Sequence, residues 1–294
     1  MPTFVDEKKS LTLLEEYEDA VWRPATKVFD LRKEDPTTHG NQARKLSILL
    51  EDSVAKKRGI EDAFVVPNLL TAQECQALLN SAENHGIFAP QKANGTPRTA
   101  KRTANYQDEG LSKTIHERLA PLLAEIFAKG NDEEWCGNFH GIHSNWRVVR
   151  YDPGDAFPAH QDQMDTIQRK DARTGKKDYL VSTHTLLIQL TPPTHDLRNG
   201  GATRFYPKAK LGADTTPGQY EESIDVYLPQ GWALAFPQMG LVHAGQPIPK
   251  MNAENATVGN HSKYIAQAGI LRNLPAGKLF RPSIFKLGPG IPRP

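Results

Sequence analysis

Apolar and polar positions change rhythm along the chain, and the changes divide it into parts. Within residues 1–60, Leu11, Leu13, Leu14, Tyr17 and Val21 recur at roughly helical spacing in a charged background. Residues 41–57 read as a second helix, and Asp35-Pro36-Thr37-Thr38-His39-Gly40 as the loop between them. This part is expected to be a helical N-terminal extension that packs on the main domain. Ala63-Phe64-Val65-Val66 predicts a short strand. Thr71-Ala72-Gln73-Glu74 is a capping-box pattern, and the helix it opens carries Cys75, Leu78, Leu79 and Ala82 on one face, with Gly86 as its stop. Residues 91–108 read as a polar loop with Lys92, Arg98, Lys101 and Arg102, and residues 111–127 as another amphipathic helix.

From about Asn145 to Leu274 the rhythm becomes β-like. Apolar runs at 146–151, 184–190, 202–206, 224–228, 232–236, 241–246 and 263–271 alternate with Gly/Pro turns. Many short strands at modest spacing predict an antiparallel sandwich or barrel. The fold class is thus mainly β with flanking helices, and the division is 1–60, 61–274 and a Pro/Gly-rich tail at 275–294. The charged stretch 163–178 is expected to be a lid over a site or a solvated loop.

Composition narrows the function. With 294 residues, 38% hydrophobic and 24% charged, the chain fits a globular protein with a real core. Its net charge of +2 gives no electrostatic footprint for nucleic acid or a membrane surface. No apolar run is long enough to span a bilayer, and MPTFVDEKKS lacks the apolar stretch of a signal peptide. Two cysteines, Cys75 and Cys136, are too few for a disulfide scaffold, and Cys75 falls on the packed face of its helix. A cytoplasmic or nuclear location is the expectation. The oligomeric state is not readable.

Candidate chemistry lies in the β-rich part. His160 and Asp162 are two apart, so in an extended chain both point to one side and can converge on a cation. A third ligand must come from elsewhere, and His243, in Leu241-Val242-His243-Ala244-Gly245, is the best candidate. Two histidines and one carboxylate on one face make the site of non-haem Fe(II) oxygenases.

The surroundings extend the pattern. Tyr151-x-x-Gly154 precedes His160-x-Asp162. Asn199-Gly200-Gly201-Ala202-Thr203-Arg204-Phe205, Gly231-Trp232-Ala233-Leu234-Ala235-Phe236, His243-x-Gly245 and Lys263-Tyr264-Ile265 follow in order. This set, over about residues 62–274, resembles the prolyl 4-hydroxylase-like branch of the Fe(II)/2-oxoglutarate-dependent dioxygenases.

The resemblance implies a double-stranded β-helix, or jelly-roll (cupin-like), core. It implies Fe(II) on His160, Asp162 and His243, with 2-oxoglutarate and O2 as cosubstrates and ascorbate as a candidate reductant. It also implies a basic residue for the far carboxylate of 2-oxoglutarate. Lys263 and Arg272 both follow His243 at a longer interval than the family's, and residues 249–258 read as an inserted loop that explains the delay for Lys263. Strand parity favours Lys263, because Lys263, Ile265 and Gln267 share one face and Arg272 faces the other unless a bulge intervenes. Tyr151, Thr185 and Gln189 are candidates for neutral contacts to the cosubstrate, although Gln189 stands where the family often has a tyrosine. Arg204 is either a substrate contact at the barrel mouth or a surface charge. The cluster of Arg98, Lys101 and Arg102 is either an anionic-substrate contact or solvated surface, and His184 is at most a neighbour of the site.

The expected activity is hydroxylation of an unactivated C–H bond coupled to decarboxylation of 2-oxoglutarate to succinate and CO2. The carboxylate at 162 favours hydroxylation over halogenation. A prolyl or peptidyl residue, a free amino acid or a small natural product are all open as substrate. Two alternatives keep the barrel: a non-catalytic binding module, and a cupin-type metalloenzyme that does not use 2-oxoglutarate.

Overall fold

The strands take their places by burying alternate residues on two sides. The computed structural model describes residues 27–31, 44–45, 63–85, 88–93, 96–102, 106–128, 139–170, 175, 177–192, 201–207, 209, 220, 222–248 and 262–273. Eight strands form the centre. A large sheet contains β8 (Asn145–Tyr151), β16 (Lys263–Asn273), β11 (Lys177–Gln189) and β14 (Ala233–Pro237) as neighbours in that order. A small sheet contains β9 (Phe157–His160), β15 (Val242–Gly245), β12 (Thr203–Tyr206) and β13 (Ile224–Tyr227).

The chain crosses between the two sheets after β8, β9, β11, β13, β14 and β15, and all pairs within each set of four are antiparallel. Eight antiparallel strands wound across two facing sheets are a jelly roll, the core implied by the sequence resemblance.

Further strands extend both sheets. β1 (Lys27–Asp30) adds to the small sheet in parallel with β13. β2 (Arg44–Lys45) and β3 (Phe64–Val66) extend the large sheet beyond β14. On its other edge lie β5 (Thr96–Arg102) and β4 (Ala89–Ala93). Short β6 (Tyr106–Gln107) pairs with β8, and β7 (Phe139–Ile142) with β16.

Two helices cover the outer face of the large sheet. α1 (Ala72–His85) starts at the expected capping box: the Thr71 N–H donates to Glu74 Oε2 at 2.8 Å, and the Glu74 N–H to Thr71 Oγ1 at 3.2 Å. α2 (Glu109–Ala128) is capped by Asp108, whose Oδ1 accepts from the Leu111 N–H at 2.7 Å. Arg118 of α2 donates to Glu74 of α1 at 2.5 Å and locks the helices together.

Alternation on β11 sorts the core. Leu186 and Ile188 face Leu78, Ile115 and Leu119 of the helices, whereas Leu187 faces the inter-sheet core with Val149, Phe205 and Phe236. Among the described residues no helix is long and apolar enough to cross a membrane.

Three expectations are corrected. Arg44–Lys45, inside the stretch expected to be helical, form a strand, because β3 supplies backbone partners that outweigh local propensity. The polar stretch 91–108 is largely the β4–β5 hairpin and β6, not a loop. The charged stretch 163–178 is not an irregular loop: β10 (Thr166–Lys170) pairs with the start of β11 as a hairpin. Leu11 to Val21, the 35–40 loop and the 275–294 tail lie outside the described residues.

Candidate metal centre and adjoining pocket

Pairing of two small-sheet strands brings the histidines together. β15 places His243 opposite His160 at the end of β9, and their ring centroids are 4.3 Å apart. Asp162 follows just beyond β9. Each imidazole is turned by a carbonyl two residues before it. His160 Nδ1 lies 2.8 Å from Pro158 O, and His243 Nδ1 3.3 Å from Leu241 O. A donor N–H at Nδ1 directs the Nε2 lone pair the other way. His160 Nε2 is 3.5 Å from Asp162 Oδ1, and His243 Nε2 is 3.6 Å from Oδ2. One ligand atom from each of the three lies within 4.8 Å of the others, the only such cluster among the described residues. Phe157 packs on His160 and Phe236 on His243, at centroid distances of 4.2 and 4.6 Å, so apolar rings wall the site.

Asp162 is partly buried, and burial alone would raise its pKa. Charge interaction with His243, contacts with His160 and the hydroxyl of Thr185 outweigh burial and hold the carboxyl well below its usual range. Two donors meet its Oδ2: Thr185 Oγ1, and Gln267 Nε2 at 3.1 Å. Two imidazoles that turn Nε2 toward one ionised carboxylate suit a divalent transition metal and leave positions open on the pocket side.

The pocket beside this centre is lined by Tyr151, His160, Leu187, Thr203, His243, Lys263, Ile265 and Gln267, among others. Lys263 donates from Nζ to the Gly201 carbonyl at 2.5 Å, and Nζ lies 5.5 Å from the Tyr151 ring centroid. Gly201 has φ 76°, a backbone state that suits glycine. Among the described residues no carboxylate pairs with Lys263, and desolvation lowers its pKa to about 8. A cation in this position suits an anionic ligand.

The remaining candidates fall elsewhere. Thr185 contacts Asp162 instead of the lysine end of the pocket. Gln189 folds back onto Thr191, donating to its carbonyl and hydroxyl oxygens at 3.1 Å each, and does not line the pocket. Arg204 is neither a mouth residue nor a surface charge. It is buried on the outer face of the small sheet, in a bidentate pair with Asp225 at 2.6 and 2.7 Å. Parity on β12 explains this, since Thr203 and Phe205 take the inward positions. Arg272 is buried near His184, away from the pocket; desolvation, then the Arg272 charge, lower His184 to about 3, so its ring is neutral. The side chain of Arg102 lies outside the described residues. Gln267 was not among the expected site residues, although its parity with Lys263 pointed to it.

No known family profile and no curated protein matches the chain by sequence. Several solved structures are similar in fold. The viral collagen prolyl hydroxylase of Paramecium Bursaria Chlorella virus-1, as a 2OG complex, shares 19% identity at a TM-score of 0.41, over 71% of this chain and 96% of that one. A Pseudomonas putida prolyl-4-hydroxylase shares 15% identity at 0.44, over 77% and 98%. The non-heme alpha ketoglutarate dependent epimerase SnoN from nogalamycin biosynthesis shares 15% at 0.47, over 80% and 89%. At such distances, activity must be argued from the chain's own site.

Proposed function

We propose that the protein is a non-haem Fe(II)- and 2-oxoglutarate-dependent dioxygenase that hydroxylates an unactivated C–H bond and converts 2-oxoglutarate to succinate and CO2. One observation carries this reading. The His160–Asp162–His243 cluster and the Lys263 ammonium, which no carboxylate among the described residues pairs with, open onto the same pocket. A dicarboxylate that chelates a metal at one end and needs a positive charge at the other fits both features.

In this reading His160, Asp162 and His243 hold Fe(II), which supplies the O2-activating chemistry when bound. Lys263 pairs with the far carboxylate of 2-oxoglutarate, and the Tyr151 ring walls that end. Val149, Leu187, Phe236 and Ile265 exclude water from the pocket. The oxidised substrate belongs to one of three classes: a prolyl or other peptidyl residue, a free amino acid, or a small natural product.

The test is an anaerobic titration of the apoprotein with Fe(II) and then 2-oxoglutarate, followed by visible absorption. A weak metal-to-ligand charge-transfer band that is lost in His243→Ala is expected. Folded, iron-loaded protein without the band would move a binding module, or a metalloenzyme that does not use 2-oxoglutarate, ahead of this reading.

A further inference from the structure

We propose that Thr185 and Gln267 are positioning residues that occupy Oδ2 of Asp162 and leave Oδ1 as the one carboxylate oxygen offered to a divalent cation. The inference rests on the reading of His160, Asp162 and His243 as metal ligands.

The two donors come from the large sheet, whereas Asp162 follows a strand of the small one. In the β11–β16 ladder Thr185 pairs with Gly269 and Leu187 with Gln267, so Thr185 and Gln267 are diagonal neighbours. That diagonal aims a hydroxyl and an amide N–H at one oxygen across the sandwich.

A carboxylate oxygen has about two lone-pair sites. Both on Oδ2 are engaged by protein donors. Each oxygen faces one imidazole beyond a good hydrogen bond, Oδ1 to His160 Nε2 at 3.5 Å and Oδ2 to His243 Nε2 at 3.6 Å, so the two donors on Oδ2 are what distinguishes them. A free carboxylate can swing both oxygens onto a metal. With Oδ2 held from the opposite sheet, Asp162 offers one, and the cation keeps an additional position for ligands from the pocket. Gln267 also lines that pocket, so its amide stands between Asp162 and the space a substrate would enter.

Cobalt(II) replaces iron in the test, because its visible d–d absorption reports coordination number without turnover. Wild type, Thr185→Val, Thr185→Ser, Gln267→Leu and Gln267→Glu are titrated anaerobically with Co(II), with circular dichroism as the folding control. Thr185→Val and Gln267→Leu are expected to weaken Co(II) binding roughly 10–100-fold, the usual effect of losing an outer-shell partner. They should also change the intensity and position of the d–d bands. Thr185→Ser, which keeps the hydroxyl, restores the wild-type spectrum. Gln267→Glu keeps the shape but replaces a donor with an acceptor and adds a charge, and should shift the d–d bands away from those of wild type.

Folded variants with the wild-type spectrum and affinity would overturn the positioning role and leave the ligand set standing. Co(II) binding by wild type that survives His243→Ala unchanged, or no binding at all, would overturn the ligand reading and this inference together.

Discussion

A β-carbon on Gly245 would lie 2.6 Å from the Tyr151 hydroxyl oxygen and 2.9 Å from its Cε1, so the tyrosine occupies its place in the pocket only because position 245 has no side chain. Gly245→Ala must therefore displace Tyr151. The expected cost is about 1–3 kcal/mol of stability from overpacking, with weaker 2-oxoglutarate binding. Co(II) affinity should stay near wild type, because the displaced ring is on the lysine side of the pocket. Equal dicarboxylate affinity in the variant and wild type would remove Tyr151 from the binding role.

Lys263 and Arg272 occupy the same strand but opposite environments. Lys263 lines the pocket, and Arg272 is buried where its charge helps keep His184 neutral. Lys263→Ala should weaken 2-oxoglutarate binding by about 2–5 kcal/mol, the range for removing one member of a desolvated charge pair. Arg272→Ala should lower the melting temperature with little change in that affinity. Binding titrations on both variants decide the matter, and the reverse order would reassign the anchor.

Titration of Lys263 gives a further handle. Desolvation lowers it from 10.5 to about 8. Above that pH the free enzyme loses the cation that a dicarboxylate needs, so 2-oxoglutarate affinity should fall as pH rises through about 8. Lys263→Arg stays charged throughout and should flatten the profile. Stability moves the opposite way. The folded lysine holds its proton less tightly than the unfolded one, so the cost to folding is full below about 8 and relieved as pH rises toward 10.5. A dicarboxylate affinity that is level across pH 8 in wild type would separate Lys263 from the ligand.

Much of this architecture was legible in the pattern of residues. The apolar runs marking β8, β12, β13, β14, β15 and β16 survive folding nearly unchanged, and β12, β13 and β14 are buried on both faces. β9 was not legible as a strand: Phe157-Pro158-Ala159-His160 is short and carries a proline, and its pairing with β15 comes from tertiary register. β10 was hidden in a charged stretch for a related reason, since its partner lies across a hairpin on β11. At the site, the periodicity of two that joined Lys263 to Ile265 also carried Gln267, but only the structure shows what that amide meets. Thr185 and Gln189 share a strand face, yet they end at opposite fates, one on Asp162 and one folded onto Thr191. A sequence gives the face of a strand, and the distance travelled along it is what separates a site residue from a bystander.

Arg204 is set apart by its strand face instead, and the consequence can be measured. Its guanidinium and the Asp225 carboxylate are 5% and 7% exposed, and their two hydrogen bonds leave neither charge available to a ligand. Arg204→Ala strands Asp225 in a desolvated place and should cost about 3–5 kcal/mol. Removing both charges with well-packed apolar residues, as in Arg204→Met with Asp225→Leu, should recover most of that loss, because the desolvation penalty disappears with the attraction it opposes. Chemical denaturation of Arg204→Met, Asp225→Leu and the double variant gives the coupling. In every folded variant 2-oxoglutarate should bind with wild-type affinity, since the pair faces away from the pocket. A double variant as unstable as Arg204→Ala would show that packing around the arginine stem, and not the buried charge, sets the cost. A large loss of cosubstrate affinity in the stable double variant would return Arg204 to the site.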